Sequence, residues 1–143
     1  MSNVNDDLKL KGKLTIALND EVVQEVDNLV VTAGKGYVAS RIKDASATAM
    51  SHMAIGSGTT NPAASDTALE TQLGRVSLTS TSVSGAVVTY VATFGAGTGT
   101  GAVTEAGILN ASSGGTMLCR TEFSVVNKGS SDSMTVTWTV TVS

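Results

Sequence analysis

The stretch Met134–Val142 alternates strictly between apolar residues and threonine. Every even-numbered position is apolar, every odd-numbered position is threonine, and the only tryptophan of the chain, Trp138, stands in the apolar row. Because a β-strand turns successive side chains to opposite faces, this pattern predicts a half-buried strand. One face of that strand is built for a core and the other for solvent.

A partner strand is predicted just before this one. Its core-facing side would carry the apolar positions Met117, Cys119, Phe123 and Val125. Its solvent-facing side would carry the polar positions Arg120, Glu122 and Ser124. Residues 127–132 are rich in turn formers, so we expect the two strands to form an antiparallel hairpin.

Composition places the chain in a β-rich class. Charged residues make up 15% and hydrophobic residues 41%, with abundant threonine, serine, valine, alanine and glycine, which does not suit a disordered chain or a coiled coil. A length of 143 residues indicates one domain, expected over residues 8–143 after a flexible polar arm at residues 1–7. The net charge of −3 argues against nucleic-acid binding.

Short strands separated by turn signals account for most of the chain. About eight are predicted, at residues 8–18, 22–26, 50–55, 75–83, 86–94, 103–109, 117–125 and 134–142. Asn19-Asp20 and Ser84-Gly85 are the predicted tight turns. One helix is expected near residues 33–42, capped by Thr32 and weakened by its glycines, and Ser65 could cap a single helical turn. The predicted fold is an antiparallel β-sandwich or jelly-roll-like single domain.

Three lysines, Lys9, Lys11 and Lys13, share one face of the first strand. They could form a basic stripe that docks on an acidic partner surface. They could instead be a solvated face, or could protect an exposed sheet edge from pairing with another sheet. The sequence favours the solvated or protective role, since rows of charge are usually solvent-facing.

The sequence contains no recognisable catalytic, cofactor-binding or metal-binding residue, and we expect no enzyme and no cofactor. His52 is the only histidine and Cys119 the only cysteine, whereas metal sites need several ligands. Residues 97–102 match a G-x-G-x-x-A dinucleotide fingerprint, but the residues that follow look like a strand and not the helix that a pyrophosphate site requires. A connection between strands is the better interpretation of this segment.

Glu105 lies in an otherwise apolar stretch, near predicted strands that carry Arg75 and Arg120. An unpaired buried charge is costly, so the carboxylate is expected to pair with an arginine across the sheet. An ion pair that fixes the fold is favoured over use of this group as an acid or base.

Export and membrane insertion are not expected from the sequence. The residues after Met1 are polar and acidic and do not resemble a signal peptide. No apolar run approaches the ~20 residues of a membrane span. We therefore expect a protein made in a cytoplasm, with no membrane partner.

Four motifs together resemble small virion proteins that tailed bacteriophages encode among their structural genes. They are NLVVTAGK at residues 28–35, MAIGSGTT at 53–60, DTAL at 66–69 and GTGTGAVTEAGI at 97–108, and the Thr/Val-rich carboxyl end fits them. The resemblance covers nearly the whole chain after about residue 8. It implies a particle component without catalytic activity, made in the bacterial cytoplasm and released by lysis. It carries no binding residues over to this chain.

The expectation that follows is a capsid decoration (cement) protein. Such a protein would bind the major capsid protein on the outer head surface as a small homo-oligomer, a trimer or dimer, and bridge neighbouring subunits; residues 1–7 are one candidate bridge. A tail or tail-fibre component is the first alternative, with residues 56–61 and 95–101 contacting a host glycan or an adjacent tail protein. A free carbohydrate-binding module is the second, although five aromatic residues supply a poor sugar-binding platform.

Overall fold

A computed structural model describes residues 8–43 and 47–143, and within these ranges the chain forms nine strands and one helix. The strands are β1 (Leu10–Leu18), β2 (Glu21–Val30), β3 (His52–Gly56), β4 (Gln72–Ser77), β5 (Ser80–Ser84), β6 (Val87–Phe94), β7 (Gly101–Leu109), β8 (Met117–Lys128) and β9 (Met134–Val142). The helix α1 spans Thr32–Ile42. The predicted arm at residues 1–7 lies outside the described residues.

All nine strands belong to one antiparallel sheet in the order β4-β3-β7-β8-β2-β1-β9-β6-β5. The sheet curls into a half-barrel, with its main core cluster drawn from strands on both sides of the curl. The mainly β, antiparallel prediction is confirmed, with one strand more than expected. A sandwich or jelly roll is a finer description that this single curled sheet does not establish.

The two edge strands, β4 and β5, are neighbours in sequence although they lie at opposite ends of the strand order. Only Leu78 and Thr79 separate them. The Leu78 amide donates to the Ser51 carbonyl beside β3 at 2.9 Å, and the Thr79 amide donates to the Val91 carbonyl in β6 at 2.7 Å. This dipeptide therefore crosses from one edge of the curled sheet to the other. The prediction of a single strand at residues 75–83 was wrong, because an extended chain can change partners without changing its side-chain alternation.

The predicted hairpin between the last two strands was also wrong. β8 lies between β7 and β2, whereas β9 lies between β1 and β6. The loop before β9 is bound instead to the β1–β2 turn. Asn19 donates to Asp132 at 2.9 Å and accepts from the Ser133 amide at 3.0 Å. These contacts set β9 beside β1, where Leu14 and Trp138 face each other in register.

The predicted faces of β8 are correct only in part. Val125 is 52% exposed although a core position was expected, and Arg120 is only 2% exposed although contact with solvent was expected. Between the register pairs Val103–Val126 and Glu105–Glu122, β8 contains three residues against one in β7. This bulge shifts the alternation, so Val126 enters the core in place of Val125. Arg120 does point away from the main core, but a loop covers that face.

Helix α1 follows β2 directly and packs on β8. The predicted span of 33–42 is confirmed, but Thr32 is the first helical residue and not a cap; Val31 occupies the cap position without a side-chain hydrogen bond. At Gly34 an added Cβ would overlap the Leu118 carbonyl, so glycine allows the helix to approach the strand this closely. The single helical turn proposed at Ser65 is not seen, and a tight turn from Ala63 to Asp66 stands there.

The β1–β2 turn offers a test of this local geometry. Asn19 and Asp20 both have positive φ, at 49° and 67°, a conformation that β-branched residues rarely adopt. Asp20→Val should destabilise the protein by about 1–2 kcal/mol. Asp20→Gly, the matched variant, should be neutral or stabilising by up to about 1 kcal/mol. Urea denaturation of both variants measures the difference, and equal midpoints would contradict the assigned turn.

Candidate functional site

The buried ion pair between Glu105 on β7 and Arg120 on β8 is the most heavily hydrogen-bonded polar group of the described structure. Glu105 is fully buried. Its Oε1 atom lies 3.0 Å from Arg120 Nη2 and 3.1 Å from Nε. The predicted pairing of Glu105 with an arginine is confirmed, and the partner is Arg120. Arg75 donates instead to two backbone carbonyls, those of Ala111 and Gly114.

The ion pair also holds the loop at residues 57–71, here called the clamp loop. The carboxylate of Glu105 accepts three backbone N–H bonds from this loop: from Gly58 at 2.7 Å, Glu70 at 2.9 Å and Thr71 at 2.8 Å. Both carboxylate oxygens are engaged. Glu105 therefore neutralises Arg120 and at the same time replaces water for the loop backbone.

Arg120 also donates hydrogen bonds to the clamp loop. Its guanidinium donates to the Thr60 carbonyl at 3.0 Å and to Asp66 Oδ2 at 3.1 Å. The Asp66 carboxylate in turn accepts from the Ala63 amide at 2.9 Å. One arginine therefore fixes two separate positions of the clamp loop relative to β8, and its planar fork of donors suits this role.

Three further hydrogen bonds hold the clamp loop. The Thr104 hydroxyl donates to the Gly58 carbonyl at 2.6 Å, so both backbone groups of Gly58 are bound. An added Cβ at Gly58 would overlap Glu105 Oε2, which explains the need for glycine at this position. At the loop surface, hydrogen bonds from the Thr60 hydroxyl and the Thr59 amide lower the pKa of Glu70 below its ordinary value of 4.5.

This arrangement fixes a loop and leaves little scope for proton transfer. A general acid or base needs a free lone pair or proton that faces a reactant. Glu105 is fully buried, and its two oxygens accept bonds from three amides and a guanidinium. The chemistry that it supports is charge compensation inside the fold.

The other residues considered for chemistry lie apart from this pair. His52 is flanked by two serine hydroxyls, Ser51 at 2.8 Å and Ser77 at 3.4 Å. Cys119 is buried in the core, and that burial raises the pKa of its thiol. Across residues 8–43 and 47–143, no group of three or more histidine, cysteine, aspartate or glutamate side chains is placed to hold a metal ion.

The glycine-rich segment at residues 97–102 joins β6 to β7. It leads into a strand, as the sequence predicts, and presents no helix amino terminus to a phosphate. Gly97 and Gly99 both have positive φ. Lys128, which is buried at the end of β8, donates to the Gly95 carbonyl at 2.9 Å and anchors the start of this connection.

An open apolar trough is the surface feature that the sequence analysis missed. It lies between α1 and strands β1, β2 and β9, and it contains a cavity of about 740 Å³. Its apolar lining includes Leu8, Leu10, Leu29, Val38, Ile42 and Val142. The alternation of leucine and lysine at residues 8–11 was the one sequence signal for this trough. It was not sufficient, because the other walls come from distant parts of the chain.

The comparisons with known proteins do not identify a relative. No protein-family model, no curated protein and no solved structure matches this chain. Among the described residues, no helix has the length and hydrophobicity needed to cross a bilayer.

The ion pair generates a prediction about stability. Glu105→Gln removes the charge that compensates buried Arg120 and replaces an acceptor with an amide donor facing other donors. Breaking a buried pair from one side typically costs about 3–5 kcal/mol, and we expect a loss of that order in urea denaturation. Hydrogen exchange at the Gly58 and Thr71 amides should also become faster.

The matched control is the exposed pair of Lys13 and Glu25, whose charged atoms lie 3.4 Å apart. Lys13→Gln should change stability by less than about 1 kcal/mol, because exposed ion pairs contribute little. An unchanged denaturation midpoint in Glu105→Gln would contradict the role assigned to the buried pair.

Proposed function

We propose that this protein is a non-catalytic structural component of a phage virion, and that it decorates the outer surface of the head as a cement protein. Its partner would be the major capsid protein, and it would stabilise the shell by bridging neighbouring capsid subunits. The resemblance of four motifs to small phage virion proteins supports this proposal. The virion would be assembled in the cytoplasm of the host bacterium.

The observation that carries the proposal is the set of large apolar side chains that the fold leaves exposed. Ile42 is 76% exposed, Val83 73% and Leu8 68%, while the charged groups Glu105 and Arg120 are buried. Apolar surface that is exposed in groups typically marks a site of protein association. The buried ion pair is not available to a substrate, whereas the exposed apolar side chains are available to a partner. This arrangement suits a binding component better than an enzyme.

The edge strand β5 is a second surface suited to association. All five of its residues are exposed, and none is charged or proline. Exposed edges are usually protected by charges, proline or bulges, because an unprotected edge can pair with another strand. An edge of this kind can add a strand from a capsid subunit or from another copy of the chain, which fits the proposed dimer or trimer.

The clamp loop adds a preorganised contact surface. Its backbone is held at Gly58, Glu70 and Thr71 by Glu105, so little conformational entropy remains to be lost on binding. A cement protein must bridge subunits at fixed distances. A loop pinned to the sheet is better suited to that task than a loop that orders only on contact.

We also infer that the curled sheet acts as the two layers of a β-sandwich or jelly-roll-like domain. One half holds β5, β6, β9, β1 and most of β2, and the other holds β8, β7, β3 and β4. β2 pairs with β1 along most of its length and with β8 only at Leu29 and Val30. This pairing and the dipeptide Leu78-Thr79 correspond to the corners at which strands change sheets in such folds.

The alternatives differ in what the surface would need. A carbohydrate-binding module usually presents an aromatic platform, but Trp138, Phe94, Phe123 and Tyr90 are buried and Tyr37 is partly buried. This burial weakens the carbohydrate-binding alternative. A tail or tail-fibre component would use the loops at residues 56–61 and 95–101, and it becomes the leading alternative if the protein does not bind heads.

The test is addition of the purified protein to expanded heads that lack it. We expect it to co-sediment with the heads at saturating stoichiometry and to raise their melting temperature, because a ligand that binds only the assembled shell stabilises it. Purified tails are the control and should not retain the protein. Binding to tails with heads unaffected would overturn the cement proposal in favour of the tail alternative.

A variant pair tests whether the β5 edge takes part. Val83→Lys places a charge on the edge and should lower the fraction bound to heads. Val125→Lys, a matched change at an exposed valine of β8, should leave binding unaltered. Equal effects of the two variants would exclude a specific role for the edge.

A further inference from the structure

We propose that the apolar trough beside α1 binds an acidic segment of a partner protein, one in which acidic residues are interspersed with apolar ones. The trough is formed where α1, which follows β2, passes alongside the first residues of β1 and the last residue of β9. Most of its walls therefore belong to strands and to the helix, and Leu8 and Lys9 stand just before β1.

The trough is long and open rather than a closed ligand cavity. A second cavity of about 350 Å³ continues from it and shares four of its lining residues: Leu10, Val38, Ile42 and Val142. Leu8 and Ile42 at its rim are among the most exposed large apolar residues of the described chain. A chain segment laid along this surface would cover them.

The charge of the trough identifies the kind of segment. Lys9, Lys11 and Lys35 line the larger cavity and Arg41 lines the smaller one, and among residues 8–43 and 47–143 no aspartate or glutamate lines either cavity. The whole chain carries 9 lysines and arginines against 12 acidic residues, whereas the described residues of this region include four cations and no acid, which locally reverses the sign of the charge. The ion pairs found among the described residues involve Lys13 and Arg120, and none of these four cations.

The geometry suits a peptide in particular. Lysine and arginine stems can cover apolar surface while their charged ends stay in water, so the rim cations border the apolar floor. A bound extended segment would place alternate side chains on opposite faces, with apolar ones towards the floor and acidic ones within reach of the rim. Nucleic acid, which is polyanionic but has no apolar side chains, would leave the floor uncovered.

This inference goes beyond the proposed function and does not depend on it. The trough chemistry stands whichever protein supplies the segment, whether a capsid subunit or another partner. A failure to bind phage heads would overturn the cement proposal and leave this one standing. A failure to bind the acidic peptide described below would overturn the trough proposal and leave the cement proposal standing.

The probe is a short synthetic peptide that alternates glutamate with leucine, titrated into the full chain and followed by amide chemical shifts and calorimetry. We expect saturable binding, with shifts concentrated at residues 8–11 and 35–42, and weaker binding as salt screens the rim charges. Two control peptides, with the leucines replaced by serine or the glutamates replaced by lysine, should bind at least about tenfold more weakly.

Two matched pairs of variants localise the binding. The double variant Lys9→Glu with Lys11→Glu should weaken the peptide about tenfold, whereas Lys13→Glu, on the same strand but outside the trough, should not. Ile42→Ser should weaken it as well, whereas Val83→Ser, at a similarly exposed valine on β5, should not. Thermal melts verify that each variant is folded. If the double lysine variant does not fold, the comparison of Ile42→Ser with Val83→Ser decides whether the peptide binds in the trough.

Three results would overturn the proposal. One is the absence of saturable binding. Another is equal binding of the lysine-leucine peptide, which would indicate unspecific apolar association. The third is displacement of the acidic peptide by laurate at low concentration with laurate alone binding tightly, which would make the trough a fatty-acid site.

Discussion

The interaction on which the rest of this structure depends is the buried pair of Glu105 and Arg120. Removing a carboxylate and a guanidinium from water costs several kcal/mol for each ion, and their mutual attraction offsets this only when the remaining hydrogen-bonding groups are satisfied. Here the clamp loop supplies those partners, because three of its amides donate to Glu105 and its Thr60 carbonyl accepts from Arg120. Sheet and loop are therefore interdependent: the loop shields the charges, and the charges hold the loop.

The rest of the fold is organised by the burial of apolar side chains. The dipeptide Leu78-Thr79 links the two edge strands of the curled sheet, and β2 changes partners at its end, so the apolar rows of the sheet meet in one main core. What stays outside is an uncharged edge at β5 and an apolar trough with a cationic rim. Both surfaces are suited to contact with other chains, and the proposed structural role in a virion requires at least one such surface.

Local patterns in the sequence predicted the elements but not all of their partners. The alternation at Met134–Val142 identified β9, because a period of two is a property of the strand itself. The neighbours of β9 could not be identified in this way, since they depend on contacts between distant residues, such as Asn19 with Asp132. The burial cost of Glu105 predicted an arginine partner, but the choice of Arg120 depends on the clamp loop. Val125 was wrongly predicted to face the core because β8 contains a bulge, which is visible only in its register with β7. The trough could not be predicted, since three separate parts of the chain form its walls.

The most direct test of the virion assignment is to locate the protein on intact particles by immunogold or tag-directed electron microscopy. We expect label scattered evenly over the head, at the density of a protein that binds a repeating capsid lattice. Label confined to the tail or its tip would contradict the decoration role. Particles that carry no label at all would contradict a place in the virion altogether.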